Sequence, residues 1–391
     1  MHPSAAEPYL PAEGLASLED LAFKLAREAS ALVAQLPPQV ASQLGELLRA
    51  MNCYYSNLIE GHNTHPRDIN RAMAQDYSHD AGRRDFQLEA RAHIEVQRLV
   101  DSGGAAPVPA ASRTFIAWAH REFCSRLPAT LLIVTNPDTG EQPSVVPGEL
   151  RLRPVVIGRH VPPPAADLPA FLDRFEQAYT VGTLTLPRQV VAVAAAHHRL
   201  LWIHPFLDGN GRVARLISHA MFLELGMGSG LWSVSRGLAR NVVEYKQLLM
   251  AADGPRRGDH DGRGALSEAA LSDFCRFFLK CCLDQVRFMR ELLQLDELQR
   301  RVDLYVRDEV DAGRLPAGSG AVLREVVLAG TVARGRVARL IGTSERTARR
   351  VTATLLQRKL LVSDSHRGAL RLGIPLDVVE RWFPRLYPEA A

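Results

Sequence analysis

Twelve consecutive residues concentrate the chemistry of this chain: His204-Pro205-Phe206-Leu207-Asp208-Gly209-Asn210-Gly211-Arg212-Val213-Ala214-Arg215. His204, fixed by Pro205 and anchored by Phe206, can accept a proton near neutral pH. Asp208 is the one carboxylate of the stretch, placed to hold Mg²⁺ against phosphate oxygens. Gly209 and Gly211 permit positive φ, so the backbone can form a concave nest of N–H groups opening a helix, which attracts phosphate. Arg212 and Arg215 stand three apart on that helix and can both reach one anion. Each feature alone is ordinary loop chemistry. Together they suit attack by a hydroxyl on a magnesium-bound nucleotide.

Two helices must position this loop. Gln189 to Ile203 (QVVAVAAAHHRLLWI) is almost wholly apolar and predicts a helix buried on most sides. Beyond the loop, Val213, Leu216, Ile217, Ala220 and Met221 recur at helical spacing until Gly226 offers a stop. Adjacent His197 and His198 point about 100° apart on a helix and cannot chelate a metal together, so they read as core or supporting groups.

The twelve residues match the signature H-P-F-x-[D/E]-G-N-G-R-x-x-R without a mismatch, and the chain resembles the Fic family of protein adenylyltransferases over about residues 50 to 290. The resemblance implies a mainly α fold, with a Fic-type helical core and a small β-hairpin flap. It implies transfer of AMP from ATP to a Ser, Thr or Tyr hydroxyl of a target protein, or of the chain itself. His204 would be the general base and Asp208 the Mg²⁺ ligand. Gly209, Asn210 and Gly211 would form the anion hole, Arg212 would bind phosphate, and Arg215 the γ-phosphate. No Walker-type loop with lysine is present, so ATP binding would rest on this loop.

Upstream, Leu15 to Leu36 and Gln39 to Leu58 show helical periodicity separated by Pro37-Pro38, after a proline-containing lead expected to be flexible. The second helix ends in Ser56-Asn57-Leu58-Ile59-Glu60-Gly61. Ser56 and Glu60 share a face, and Gly61 can close the helix in a left-handed conformation. By itself Glu60 reads as a solvated charge. The segment also resembles the family's inhibitory pattern [S/T]-x-x-x-E-[G/N], which implies that Glu60 pairs with Arg215 and blocks productive γ-phosphate binding. In some relatives the same glutamate orients a water for removal of AMP.

Arg67 to Val100 reads as helix, Asp101 to Pro109 as a boundary loop, and Arg113 to Leu127 as an amphipathic helix. Leu150 to Gly158 has short β character, and the resemblance makes 151–158 the flap on which a target backbone docks by strand addition, with Pro154 removing one donor. A helix is expected over Asp167 to Tyr179, another from Ser235 through Met250, and a long apolar one over Leu271 to Leu295. Tyr245 resembles the position of an aromatic beside adenine. Asp253 to Gly264 is polar and glycine-rich, read as a mobile loop, and its aspartates lack the closing Glu of a calcium loop.

Over 321–391 thirteen Lys+Arg stand against six Asp+Glu, a local balance of +7 in a chain whose net charge is only +4. Thr331 to Leu340 and Ser344 to Lys359 predict two helices, and Leu360 to Ser363 with Ala369 to Ile374 a β-wing: a winged helix-turn-helix with Arg346, Arg349 and Arg350 facing outward. DNA is the sharper partner for that face, and protein docking or self-association to a homo-oligomer the more ordinary one. The expected segments are 1–104 (helical, with the inhibitory helix), 105–295 (catalytic core) and 296–391 (winged helix). Five cysteines without a CxxC pair, no basic-then-apolar N-terminus and no apolar run of membrane length predict a soluble cytoplasmic protein. Besides adenylyl transfer, two other functions fit: AMP removal through Glu60, and DNA-binding regulation with a nucleotide-sensing core, against which an intact His204 argues.

Overall fold

The computed structural model describes residues 1–12, 16–62, 64–104, 107–136, 139–180 and 184–387. It is mainly α and folds into two compact units: Met1–Ser30 with Asn52–Val286, and Ala31–Met51 with Arg287–Ala391. The division does not follow chain order, because residues 31–51 group with the C-terminal part. Among the described residues no helix is long and apolar enough to cross a membrane. Leu15 and Ala105, expected at a helix start and in a boundary loop, lie outside the described residues.

The α-helices of the first part of the chain are α1 (Ala16–Gln35), α2 (Pro38–Ile59), α3 (Pro66–Met73), α4 (Ala81–Asp101), α5 (Arg113–Cys124), α6 (Leu168–Tyr179), α7 (Leu186–Ile203), α8 (Asn210–Glu224), α9 (Val234–Arg240), α10 (Val242–Ala251) and α11 (Glu268–Leu292). Local chemistry accounts for many of their ends. Pro38 opens α2, where a missing N–H costs nothing. Asp80, Ser112 and Ser233 cap α4, α5 and α9 by accepting the N–H of Arg83, Phe115 and Arg236. The expected single helices over 67–100 and 235–250 are each split in two, after Met73 and after Arg240. Gln75 at φ 60° breaks the first run, and Asn241 at φ −125° the second.

The apolar α7 is buried along nearly its whole length, and α8 packs beside it. Ala92 and Val96 of α4, Phe123 and Cys124 of α5, and Leu216 of α8 form a shared core that Leu207 of the reactive loop joins. The loop is thus seated on three helices.

Residues 1–12 of the N-terminal lead, expected to be flexible, are packed against the core. Tyr9 is 2% exposed, and backbone carbonyls of the lead accept from buried side chains: Pro8 from Arg199, Tyr9 from the Tyr179 hydroxyl, Pro11 and Ala12 from Arg188. Inward-facing arginines need acceptors, and an extended segment supplies carbonyls. The loop at 253–264 is likewise pinned, since Asp261 accepts the N–H groups of Arg257 and Ala269.

The second unit continues with α12 (Leu295–Asp311), α13 (Ser319–Ala329), β1 (Thr331–Val332), α14 (Val337–Leu340), α15 (Glu345–Gln357), β2 (Leu361–Val362), β3 (Leu370–Leu372) and α16 (Leu376–Trp382). Its antiparallel sheet has the order β1-β3-β2, with Thr331 opposite Arg371 and Leu361 opposite Leu372. Thr331 and Val332 are therefore strand, where helix was expected; they pair with β3, and tertiary pairing outweighs weak local propensity. Gln43, near the start of α2, bridges this sheet by donating to Gly330 O and accepting from Leu372 N.

Candidate functional site

The two helices hold the loop through its backbone. His204 ends α7 at φ 48°, ψ 63°, a left-handed conformation uncommon outside glycine, with its N–H donated to Leu200 O at 3.0 Å. Asn210 closes the turn from the other side: its amide accepts from Phe206 N at 3.0 Å and donates to Phe206 O at 2.9 Å. Phe206 is fully buried, stacked flat on His120 at 3.8 Å. His120 Nδ1 accepts from Gly148 N, so Nε2 carries the proton and donates to Asp208 O at 3.2 Å. Nothing local in the sequence marks His120 for this role.

Arg151 is a second strut, and it is buried. Its Nε donates to His204 O at 2.8 Å, its guanidinium also reaches Arg153 O and Pro163 O, and its backbone N–H bonds Pro205 O. The expected hairpin at 150–158 has no strand ladder. It is irregular chain with one bridge, Ile157 to His160; Pro154 lacks a donor and Arg151 turns inward. Leu152 is 88% exposed and Val156 is exposed.

Gly209 takes φ 81° and caps α8, leaving the first N–H groups of that helix open. Gly211 does not need positive φ; it is helical. A Cβ on it would overlap Glu60 Oε1, so its missing side chain makes room for that carboxylate. Asp208 is exposed, and its carboxylate accepts the N–H of Gly209 at Oδ1, at 2.6 Å. No group of three or more His, Cys, Asp or Glu that could hold a metal occurs among the described residues. A lone exposed carboxylate beside an anion-binding nest is what Mg²⁺ needs when phosphates and water supply its other ligands.

Both arginines of the loop are already engaged. Arg215 donates from Nε to Ser56 Oγ at 2.9 Å and from Nη2 to Ser56 O at 3.2 Å and Glu60 Oε1 at 2.5 Å. The end of α2 presents these acceptors because Gly61 N bonds Leu58 O and His62 N bonds Asn57 O around Gly61 at φ 87°, a Schellman closure. Burial alone would raise the Glu60 pKa, but Arg215 and Arg212 outweigh it and hold the carboxyl below its usual value. Arg212 meets buried Glu89 of α4 at 2.5 Å, and His62 Nδ1 lies 2.8 Å from the other oxygen of Glu89. No local pattern in the sequence singles out Glu89 or His62.

A cavity of about 580 Å³ opens beside the loop, lined by Glu60, His204, Gly211, Arg215 and Tyr245, with Ile157, Trp202 and Met250 among its apolar walls. Burial lowers the His204 pKa to about 4, so its imidazole is neutral at physiological pH and free to accept a proton. Tyr245 borders the cavity but is only 3% exposed, its hydroxyl 2.9 Å from His197 Nε2. His197 Nδ1 faces Ser218 Oγ at 2.8 Å, and His198 Nε2 reaches Leu249 O. Both histidines are buried supports of the cavity wall. The arrangement can bind a polyphosphate at the start of α8 and place a neutral base beside it.

The Fic/DOC family model matches residues 112–222. Over 79 residues, 20% of this chain, the sequence is 38% identical to the protein adenylyltransferase Fic of Drosophila erecta and 39% identical to that of Drosophila yakuba. The match spans 16% of the length of each of these relatives. In structure the chain is similar to a Fic family protein from Desulfovibrio desulfuricans, with TM-score 0.50 at 16% identity, over 91% of this chain and 96% of that one. A Fic domain containing signaling protein from Bacteroides thetaiotaomicron aligns at TM-score 0.50 and 20% identity, over 69% and 97%. These structural likenesses are of fold.

Proposed function

We propose that this chain, which carries a Fic domain over residues 112–222, transfers AMP from ATP to a Ser, Thr or Tyr hydroxyl of a protein and is restrained by its own Glu60. The observation that carries this reading is the pairing of a neutral His204 with an amide nest whose second arginine is occupied by Glu60.

In this reading the polyphosphate lies over the first turn of α8, where the amides after Gly209 and the helix dipole favour negative charge. The target hydroxyl gives its proton to the His204 imidazole as its oxygen attacks the α-phosphorus. The bond from the α-phosphorus to the bridging oxygen breaks, and pyrophosphate leaves. Asp208 would hold Mg²⁺, which neutralises phosphate charge when bound. Added phosphate charge beside His204 raises its proton affinity toward the neutral range. The target backbone would lie along the 151–158 stretch, and the base among the apolar walls, with Tyr245 behind them.

The restraint is competition for a guanidinium. Arg215 cannot turn to a γ-phosphate while Glu60 occupies its Nη2, and Glu60 also fills the space above Gly211. A second activity is supported by the same placement: Glu60 borders the cavity with His204 and could orient a water to remove AMP.

The test is intact-mass analysis of Glu60→Gly protein incubated with ATP and Mg²⁺, beside the parent and the Glu60→Gly/His204→Ala double variant. One added AMP that depends on His204 supports transfer, and a smaller gain in the parent supports the restraint. No gain with ATP or other nucleotides, joined with loss of AMP from a modified substrate in the parent but not in Glu60→Gly, would replace transfer by removal.

A further inference from the structure

We propose that the C-terminal unit binds double-stranded DNA through α15, with the β2–β3 loop as its wing. The order α13-β1-α14-α15-β2-β3 on a β1-β3-β2 sheet is that of a winged helix-turn-helix, in which the third helix enters the major groove.

The sides of α15 are sharply divided. Ala348, Val351, Thr352 and Leu355 are buried. Arg346, Arg349, Arg350, Ala353 and Gln357 are exposed and fall at helical spacing along a single stripe. The arginines of the unit also divide by pairing. Arg314 and Arg358 bond Glu309, Arg324 bonds Asp303, Arg336 meets Glu325, Arg371 meets Asp364 and Arg381 meets Asp308. Arg346, Arg349 and Arg350 have no acidic partner among the described residues, and neither do exposed Arg339 of α14 and Arg367 of the wing. Positive charge is left uncompensated on one face.

The wing is braced toward that role, since Arg334 donates to Gly368 O at its base and Ser363 Oγ bonds Ser365 O. Glu345 is the acidic residue at the start of α15, and Asp364 is neutralised by Arg371.

The side chains favour DNA over protein. A protein interface centres on apolar and aromatic anchors, to which a single arginine can add, and is depleted of clustered charge at its core. The α15 stripe carries no apolar side chain larger than the single methyl of Ala353, which is small enough to let a groove approach closely. Arginine and glutamine are residues that read guanine and adenine edges, and unpaired arginines release counterions from phosphates.

The experiment is fluorescence anisotropy of a labelled duplex of about 24 base pairs with the full chain, titrated from about 50 to 200 mM salt, long enough to cover one site. Arg346→Ala/Arg349→Ala/Arg350→Ala is compared with the triple Lys variant, and near-UV circular dichroism checks folding. The parent should bind with affinity that falls steeply with salt, and the Ala variant should lose about 2.7 from the slope of log K against log salt, about 0.9 per charge. The Lys variant should keep the slope, and excess ATP should leave DNA bound. No binding by the parent at low salt, an unchanged slope in the folded Ala variant, or displacement by ATP would overturn the proposal. So would a dimer, seen by sedimentation, that the Ala variant abolishes in a parent that ignores DNA.

Discussion

Arg215 Nη2 and Glu60 Oε1 lie 2.5 Å apart, and the Arg215 side chain is only 2% exposed while that of Glu60 is 32% exposed. The guanidinium is fixed in the wall of the cavity, and the carboxylate is the partner that faces water. Separation therefore moves the glutamate and leaves the arginine behind, already oriented by Ser56.

Removing that carboxylate should free the guanidinium for phosphate. A charge-assisted hydrogen bond contributes about 1.5–3 kcal/mol, or roughly ten- to hundredfold in affinity. Glu60→Gly should bind a non-hydrolysable ATP analogue more tightly by that factor in calorimetry, while AMP, which lacks the γ-phosphate, should change little. Equal gains for both nucleotides would refute competition at Arg215.

Gly211→Ala approaches the same restraint from the opposite side. Its Cβ would overlap Glu60 Oε1, and its helical φ carries no strain for alanine. The variant should self-modify more than the parent, with no further gain when Glu60 is already glycine. Intact mass of the single and double variants measures this. A loss in both backgrounds would assign the space to the nucleotide instead.

Glu89 is 1% exposed and meets both Arg212 and His62. Breaking a buried ion pair from one side typically costs about 3–5 kcal/mol. Glu89→Ala should lower the unfolding free energy from urea titration by that amount, Glu89→Gln by less, and His62→Ala by under about 1 kcal/mol, because His62 lies at the exposed edge of the cluster.

Arg151 ties the 151–163 segment to the backbone of His204 and Pro205. Arg151→Ala should slow transfer by about 10²-fold, the scale of a 1 Å misplacement, and change ATP affinity less than about twofold. Arg151→Lys should not restore the rate, since one ammonium cannot reach acceptors set for a planar fork.

Burial holds His93 and His197 near pKa 3 and His120 and His204 near 4. The unfolded chain takes up these protons near pH 6.5, and the folded chain does so only near 3–4. Stability should therefore fall as pH drops from about 6.5 toward 4, by up to about 1.4 kcal/mol per pH unit for each histidine. Urea midpoints between pH 7 and 4.5 test this, and a flat profile would count against neutral buried imidazoles.

How much of this was legible depends on the range of the forces involved. The loop from His204 to Arg215, its two flanking helices, the closure at Gly61 and the shared face of Ser56 and Glu60 are local matters. Glycine dihedrals, helical periodicity and capping act over a few residues, so the amino-acid order determines them unaided. The same holds for the two-faced pattern of α15.

Tertiary structure decided the rest. Glu89, the partner of Arg212, looks like an ordinary charge on an amphipathic helix, and Arg151 like an edge residue of a hairpin. His120 stacks on a phenylalanine 86 positions away, and the proline-containing lead packs where Arg188, Arg199 and Tyr179 find its carbonyls. A buried polar group must find a partner, but its own neighbours do not say which one. That choice follows from which distant helices pack together, and there the sequence alone stops and the fold takes over.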